Sequence, residues 1–148
     1  MTRWIGKERF LRRIRSIPRL VREEVRASLE KNATELVAAQ KRVAPVKTGN
    51  LRDAIAWRPG RARKSLLGAG ARDEFTVTIY IKRQAQHYAH LVEFGAAPHA
   101  NEGIFRGTQN PGASPQPFFY PTYRSRKRLI KGRVRRALKK SVQRSQGS

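Results

Sequence analysis

The chain has 148 residues, which is enough for one domain with a modest hydrophobic core. It carries 33 Lys and Arg against 10 Asp and Glu, and the formal net charge of +23 predicts an anionic partner that offsets the self-repulsion. It has no cysteine, which excludes disulfides, thiol catalysis and thiolate metal sites, and no apolar run reaches the roughly 18 residues of a transmembrane helix.

The charge is unevenly distributed along the chain. Residues 1–70 hold 18 basic and 6 acidic residues, and residues 71–117 hold four of each. Residues 118–148 hold 11 basic residues and no acidic one. A neutral middle between basic ends predicts a sheet region flanked by basic helices. No apolar segment follows the basic N-terminus, so we expect no secretory signal peptide.

The first third of the chain is predicted to be helical. A basic N-terminal segment, residues 1–18, contains a short helix at 7–16 that Pro18 interrupts. From 19 to 43, apolar residues recur every three or four positions over more than five turns, which predicts a long amphipathic helix. Pro45 ends this helix, because the residue before a proline disfavours the helical region.

The middle of the chain is predicted to form the strands. A turn at 46–50, in which Gly49 adopts positive φ, leads into a strand at 54–58. Residues 59–73 are rich in Gly, Arg and Ala and are expected to form a loop. Residues 74–82 alternate apolar with polar side chains, which is the pattern of a half-buried strand.

A short helix and a long loop are predicted next. The helix covers 86–94 and ends at Gly95. Residues 96–117 contain four prolines and no periodic pattern, so we expect an irregular loop. In a protein that forms rings, such a loop would be an arm that touches the next subunit. The residues that the helix is expected to bury are Tyr88, Leu91 and Val92.

The last predicted element is a basic helix from about 117 to 142, followed by a flexible tail at 143–148. Its apolar stripe is narrow and its basic face is wide. The basic face can lie along a nucleic-acid backbone, dock on an acidic protein surface, rest on a membrane surface, or be solvated. The membrane alternative is the weakest, because few bulky apolar residues follow Ile130. The candidate contact residues for DNA or an acidic partner are Arg124, Arg126, Lys127, Arg128, Lys131, Arg133, Arg135, Arg136, Lys139 and Lys140.

The sequence offers no pattern that points to catalysis, a metal or a cofactor. His87, His90 and Glu93 are spaced three residues apart, so successive members drift about 60° around a helix and do not converge as zinc ligands must. No nucleophile elbow or phosphate-binding loop is present, and the carboxylates are few and scattered. We therefore expect a protein without enzymatic activity.

Three short motifs stand in order along the chain. The first is APVKTGNLR at 44–52, the second is YAHLVEFG at 88–95, and the third is PFFYP at 117–121. Together they resemble the tail-completion, or head–tail joining, family of long-tailed double-stranded-DNA bacteriophages, over about residues 20–142. The departures are Lys47 for the usual Asp, Ala96 for the frequent Thr, and Thr122 for a small residue.

This resemblance implies an α+β fold, in which a small antiparallel β-sheet packs against a long N-terminal helix and a basic C-terminal helix, within a single domain at 19–142. It implies a ring of copies, most often six, in the virion neck or tail, assembled in the host cytoplasm. The ring would contact neighbouring neck and tail-tube proteins and surround double-stranded DNA in the channel, with no cofactor, metal or membrane.

The resemblance also implies structural roles for the motif residues. Gly49 and Gly95 would form sharp turns, and Phe94 and Phe118 would anchor the core. Glu93 would be a partly buried carboxylate, for which Arg52 is the candidate partner. The full set of motif residues is Pro45, Thr48, Gly49, Leu51, Arg52, Tyr88, Glu93, Phe94, Gly95, Pro117 and Phe118.

Two other functions fit the same sequence. One is a stand-alone basic nucleic-acid-binding protein that acts as a monomer or dimer. The other is a different ring protein of the neck, such as a tail terminator or a stopper. Ring formation separates the neck proteins from the stand-alone protein.

Overall fold

The computed structural model describes residues 19–60 and 75–146. The predicted helix at 7–16 and most of the predicted loop at 59–73 lie outside these residues. The elements, in chain order, are α1 (Arg19–Val43), α2 (Asn50–Ala54), β1 (Ile55–Pro59), β2 (Val77–Ile81), α3 (Arg83–Phe94), β3 (His99–Ala100), a 3-10 turn (Gly103–Phe105), β4 (Gln109–Asn110) and α4 (Phe119–Gln146). The predicted α+β fold, with long helices packed beside small antiparallel sheets, is confirmed.

The two long helices pack against each other in antiparallel orientation. Near one end of the pair, the side-chain amide of Gln40 donates to the carbonyl oxygen of Phe119 at 3.1 Å. Near the other end, Arg144 donates to Glu24 at 2.7 Å. The apolar spacing that predicted α1 from 19 to 43 is the stripe that this packing buries, and the predicted bounds are confirmed. The buried α1 residues are Val21, Val25, Asn32, Ala33, Leu36, Val37, Ala39 and Gln40.

A two-stranded antiparallel ribbon lies beside α1. Ile55 pairs with Ile81 and Trp57 pairs with Ile79, so these four apolar side chains share one face. β2 covers Val77–Ile81, which is shorter than the alternating pattern at 74–82 suggested, although one more hydrogen bond, from the N–H of Gly60 to the carbonyl oxygen of Thr76 at 2.8 Å, extends the ladder beyond Pro59. The core that this face covers contains Val37, Ala44, Leu51, Ala54, Ile55, Ala85, Ala89 and Phe118.

Helix α3 packs on this core through its small residues. Ala85 and Ala89 are buried one turn apart, with Tyr88 and Val92 half-buried beside them. The expectations that Leu91 is buried and that Phe94 anchors the core are wrong, since both side chains are exposed and Phe94 retains 67% of its surface. Phe94 lies about 140° around the helix from Ala89, which turns it away from the core.

The segment 96–117, which the sequence predicted as an irregular loop, contains a small β-hairpin. His99 pairs with Asn110 and Ala100 with Gln109, and a bridge between Ala96 and Ala113 extends the ladder. The sequence showed no signal for it, because strands of two exposed residues have no buried face to impose an alternating pattern.

Helix α4 continues to Gln146, four residues beyond the predicted end. Residues 143–146, which were expected to belong to a flexible tail, are therefore helical. Arg144 donates to Glu24 of α1 in this last turn, and the contact gives the extra turn a tertiary partner. None of the helices in the described ranges has the length and apolar character needed to cross a membrane.

Candidate functional site

The Glu93 carboxylate caps the N-terminus of α4. Its Oε2 accepts hydrogen bonds from the backbone N–H groups of Phe118 at 2.8 Å and Phe119 at 2.9 Å, and its Oε1 accepts one from Tyr120 at 2.9 Å. The next residue, Pro121, has no N–H. The carboxylate thus satisfies every free donor at the start of the helix, and its negative charge lies at the positive end of the helix dipole.

This cap corrects the predicted partner of Glu93. Arg52 is exposed, and its guanidinium lies 3.7 Å from the neighbouring Asp53. The sequence did contain a usable signal: positions 116–120, QPFFY, offer no Ser, Thr, Asp or Asn to cap the last helix locally. A helix without a local cap needs an acceptor from elsewhere in the chain, and Glu93 is a buried carboxylate that can supply it.

The cap joins the second motif to the third. Phe118, from the third motif, is 1% exposed in the core, so its predicted role as an anchor is confirmed. Gly95 has φ of 79°, and a Cβ built on it would lie 2.8 Å from the carbonyl oxygen of Ala113. After the hairpin the chain returns to the end of α3, where the backbone N–H of Gln116 donates to the carbonyl oxygen of Val92 at 2.7 Å. The turn at Gly95 therefore brings the hairpin back to the start of α4, with exposed Pro117 just before the cap.

The first motif forms a turn and the wall of a groove. Gly49 has φ of 84°, which confirms the predicted sharp turn, and its carbonyl oxygen accepts the first hydrogen bond of α2 from Asp53 at 3.0 Å. Leu51 is buried. We call the adjoining cavity of about 710 Å³ "the groove"; it is lined by Pro45, Val46, Lys47, Thr48, Gly49, Asn50, Leu51, Tyr88, Leu91, Val92, Ala113, Ser114 and Gln116.

The basic residues of α4 form a regular row on its open side. Five exposed side chains follow one another at intervals of three or four residues over about 22 Å of helix. We call this row "the basic stripe": Arg124, Arg128, Lys131, Arg135 and Lys139. It lies roughly 130° around the helix from Ile130, Val134 and Ala137, which are half-buried on the α1 side.

Eight of the ten predicted contact residues are exposed. Lys127, Arg136 and Lys140 flank the basic stripe. No acidic side chain of the described residues forms an ion pair with a member of the stripe. The stripe therefore presents positive charge that the described fold does not neutralise, as binding to an anionic surface requires.

The other two predicted contact residues belong to the seam between the long helices. Arg133 donates to the carboxylate of Glu35 and, at 3.3 Å, to the side-chain oxygen of Asn32. Arg126 is half-buried and lines a cleft beside Arg42. The hydrogen bond and charge of Arg133 hold the pKa of Glu35 below its usual 4.5, with smaller contributions from Lys31 and Arg126 against the opposing effect of burial. Arg133 is thus satisfied within the fold.

No three His, Asp or Glu side chains converge on a common point in the described part of the chain, so no metal centre is visible there. The features with a capacity for binding are the basic stripe, the groove and the hairpin.

Residues 8–95 match the model of a family described as bacteriophage HK97 gp10-like tail components. The match includes the first two motifs and all of α1, α2, α3 and the ribbon. No curated protein and no solved structure shows significant similarity to the chain.

Proposed function

The chain belongs to the HK97 gp10-like family of bacteriophage tail components, and from this premise we propose that it forms a ring in the phage neck, joins the tail to the head connector and surrounds the DNA channel. The family is structural and not enzymatic. As a tail component, the protein has other virion tail proteins as partners. The ring, its place in the neck and its contact with DNA are the proposal.

The observation that carries the proposal is the basic stripe. The five cations of the stripe lie on one exposed face, and no acidic side chain within residues 19–60 and 75–146 pairs with them. In a chain with a net charge of +23, such a concentration of charge is stabilised when that face meets negative charge. A row about 22 Å long, rich in arginine, suits the phosphates of a duplex that passes through a ring. In the proposed assembly, each subunit therefore turns its α4 towards the channel.

Mass measurement across a salt series tests the ring and its use of DNA together. We expect light scattering or native mass spectrometry to find a closed oligomer that persists at high salt and without DNA. A monomer with steeply salt-dependent DNA binding would instead favour the stand-alone nucleic-acid-binding protein. A ring without DNA affinity would assign the stripe to an acidic neighbouring protein.

The expected salt dependence of DNA binding follows from the number of phosphate contacts. If the five stripe residues each meet one phosphate, affinity per subunit falls about 500-fold between 50 and 200 mM salt, since the logarithmic slope is about −0.9 per contact. The Arg128→Gln/Arg135→Gln variant should make the slope shallower by about 1.8. The matched control Lys82→Gln/Arg83→Gln removes the same charge from exposed positions of α3 and its cap, and should leave the slope unchanged.

The place of the ring in the virion requires a separate measurement. Cryo-electron microscopy of the intact particle should show density for this chain between the head connector and the tail tube. Density elsewhere along the tail would contradict the neck assignment. A position at the end of the tail tube alone would identify the protein as a tail terminator.

A further inference from the structure

We propose that the tip of the β3–β4 hairpin, formed by Ile104 and Phe105 and called here "the hairpin tip", binds in the groove of a second copy of this chain. The contact would be the joint between neighbouring subunits. This inference rests on the proposed ring and specifies which surfaces close it.

The hairpin tip is apolar and almost completely exposed. Ile104 retains 94% of its surface and Phe105 retains 64%. Both lie in the 3-10 turn where the hairpin reverses direction. Single exposed apolar residues are common on proteins, but two large ones together at the end of a projecting element indicate an interaction site.

The hairpin is held in a defined shape by hydrogen bonds. Ala96 and Ala113 exchange N–H···O bonds of 2.9 Å at its base. Closer to the tip, the backbone N–H of Asn101 donates to the carbonyl oxygen of Thr108 at 2.9 Å, and its side-chain amide donates to the Thr108 hydroxyl at 2.8 Å. That hydroxyl in turn donates to the carbonyl oxygen of Phe105 at 2.7 Å. The ladder presents the tip outward, which lowers the entropic cost of binding.

The groove has the size and the chemistry to receive this tip. Its volume of about 710 Å³ lies within the range of binding pockets in proteins. Val46 retains 61% of its surface, and Leu91 is exposed beside the half-buried Tyr88 and Val92. The walls therefore offer apolar surface that no described residue covers.

The hairpin tip lies outside the groove of its own chain. The groove includes Ala113 and Gln116, so the base of the hairpin lies at the groove itself. Ile104 and Phe105 are not among the residues that line the groove, and Ile104 retains 94% of its surface. A projection and a recess that are separated on one rigid surface make head-to-tail contacts between copies, and such contacts close into a ring when the rotation between subunits allows it.

Charge favours a second copy as the occupant. Two chains of net charge +23 repel each other unless they meet through neutral surfaces. The segment 96–117 carries one acidic residue, Glu102, and one basic residue, Arg106. Lys47 is the one charged residue that lines the groove. The hairpin is thus neutral, and the groove carries a single positive charge on a strongly basic chain. Glu102 lies two residues from Ile104, where it can meet Lys47 of the other copy.

Disulfide trapping tests the contact directly, because the chain has no cysteine of its own. Ile104→Cys and Val46→Cys, mixed and oxidised, should give a covalent dimer, and the double variant should give a ladder up to the full ring. Lys139→Cys, about 30 Å along α4 from its first residues, is the matched control for Val46→Cys and should give no dimer with Ile104→Cys.

A second set of variants separates assembly from folding. Ile104→Asp/Phe105→Asp should weaken subunit association at least about 100-fold, because two anchor residues become charged. Its melting temperature as a monomer should not change, since both side chains are exposed. Ile104→Leu/Phe105→Leu should assemble like the wild type. Glu102→Lys and Lys47→Glu should each weaken association, and the two together should restore it.

The outcomes distinguish this inference from the proposed function. Rings that form without a crosslink between the tip and the groove, or that persist in Ile104→Asp/Phe105→Asp, would overturn the hairpin contact and leave the neck ring standing. A disulfide within one chain in the double variant would also overturn it. Absence of any ring, in the wild type and at all salt concentrations, would count against the neck function itself.

Discussion

Replacing Glu93 with alanine removes the acceptor of three backbone N–H groups at the start of α4. Hydrogen bonds to a charged group contribute about 1.5–3 kcal/mol each, and a buried donor left without a partner costs most. The N–H of Phe118 is buried, whereas those of Phe119 and Tyr120 are partly accessible to water. We assign about 2–3 kcal/mol to the first and about 0.5–1 kcal/mol to each of the others. The expected loss of unfolding free energy is therefore about 3–5 kcal/mol, a large share of the stability of a domain.

Urea denaturation followed by circular dichroism measures this loss, at a fixed protein concentration because the protein is proposed to oligomerise. Glu93→Gln, which keeps one acceptor oxygen, should lie between the wild type and Glu93→Ala. The matched control is Glu30→Ala, which removes the same charge from an ion pair with Arg26 at 2.9 Å and should cost about 0.3–0.5 kcal/mol. Hydrogen exchange should accelerate at residues 118–120. If Glu93→Ala were no less stable than Glu30→Ala, the capping role would be refuted.

Four further substitutions test the core, the turn at Gly95 and one ion pair. Phe118→Ala should destabilise the fold by about 3–5 kcal/mol, whereas Phe94→Ala should change the unfolding free energy by less than about 0.5 kcal/mol. Equal losses of unfolding free energy in the two variants would contradict the finding that Phe118 is buried and Phe94 is exposed. Gly95→Ala should cost about 1–3 kcal/mol, because the residue has positive φ and the new Cβ would meet a carbonyl oxygen; an unchanged melting temperature would argue against the close approach. Because the pKa of Glu35 is lowered in the fold, its bond to Arg133 stabilises the fold above pH 4.5, and this stabilisation is lost as the pH falls through the folded-state pKa. The difference in melting temperature between the wild type and Glu35→Gln should therefore shrink towards pH 3. A difference that stays constant with pH would contradict this linkage.

The exposed face of α4 shows how far a local pattern extends to function. The sequence identified ten basic residues as candidates, and spacing alone could have ordered five of them into the basic stripe. Spacing could not reveal that Arg133 faces Glu35, because the two residues are 98 positions apart and meet only when α4 packs on α1. The fold thus decides which cations are available to a partner.

The three motifs also combine features that the sequence predicts with features that only the fold reveals. Their order and spacing predicted the family, and the match over residues 8–95 confirms it. The sequence also predicted the turns at Gly49 and Gly95, since a positive φ is a local property of the backbone. The partner of Glu93 was predicted wrongly, because an arginine in the first motif offered an obvious opposite charge. The lack of a local capping residue at 116–120 indicates that the last helix needs an acceptor, but it does not indicate which residue supplies one.

The sequence by itself determined the long helix at 19–43, the ribbon, the basic last helix and the excess of positive charge. Periodicity, proline and composition act within a few neighbouring residues, so a linear reading captures them. Only the tertiary structure decided that Glu93 caps α4, that Phe94 faces outward and that Arg133 binds Glu35. It also decided that an apolar hairpin tip and a groove lie on separate parts of the surface. Each of these depends on segments tens of residues apart being brought together, and the position of one segment relative to another is a property of the packed core.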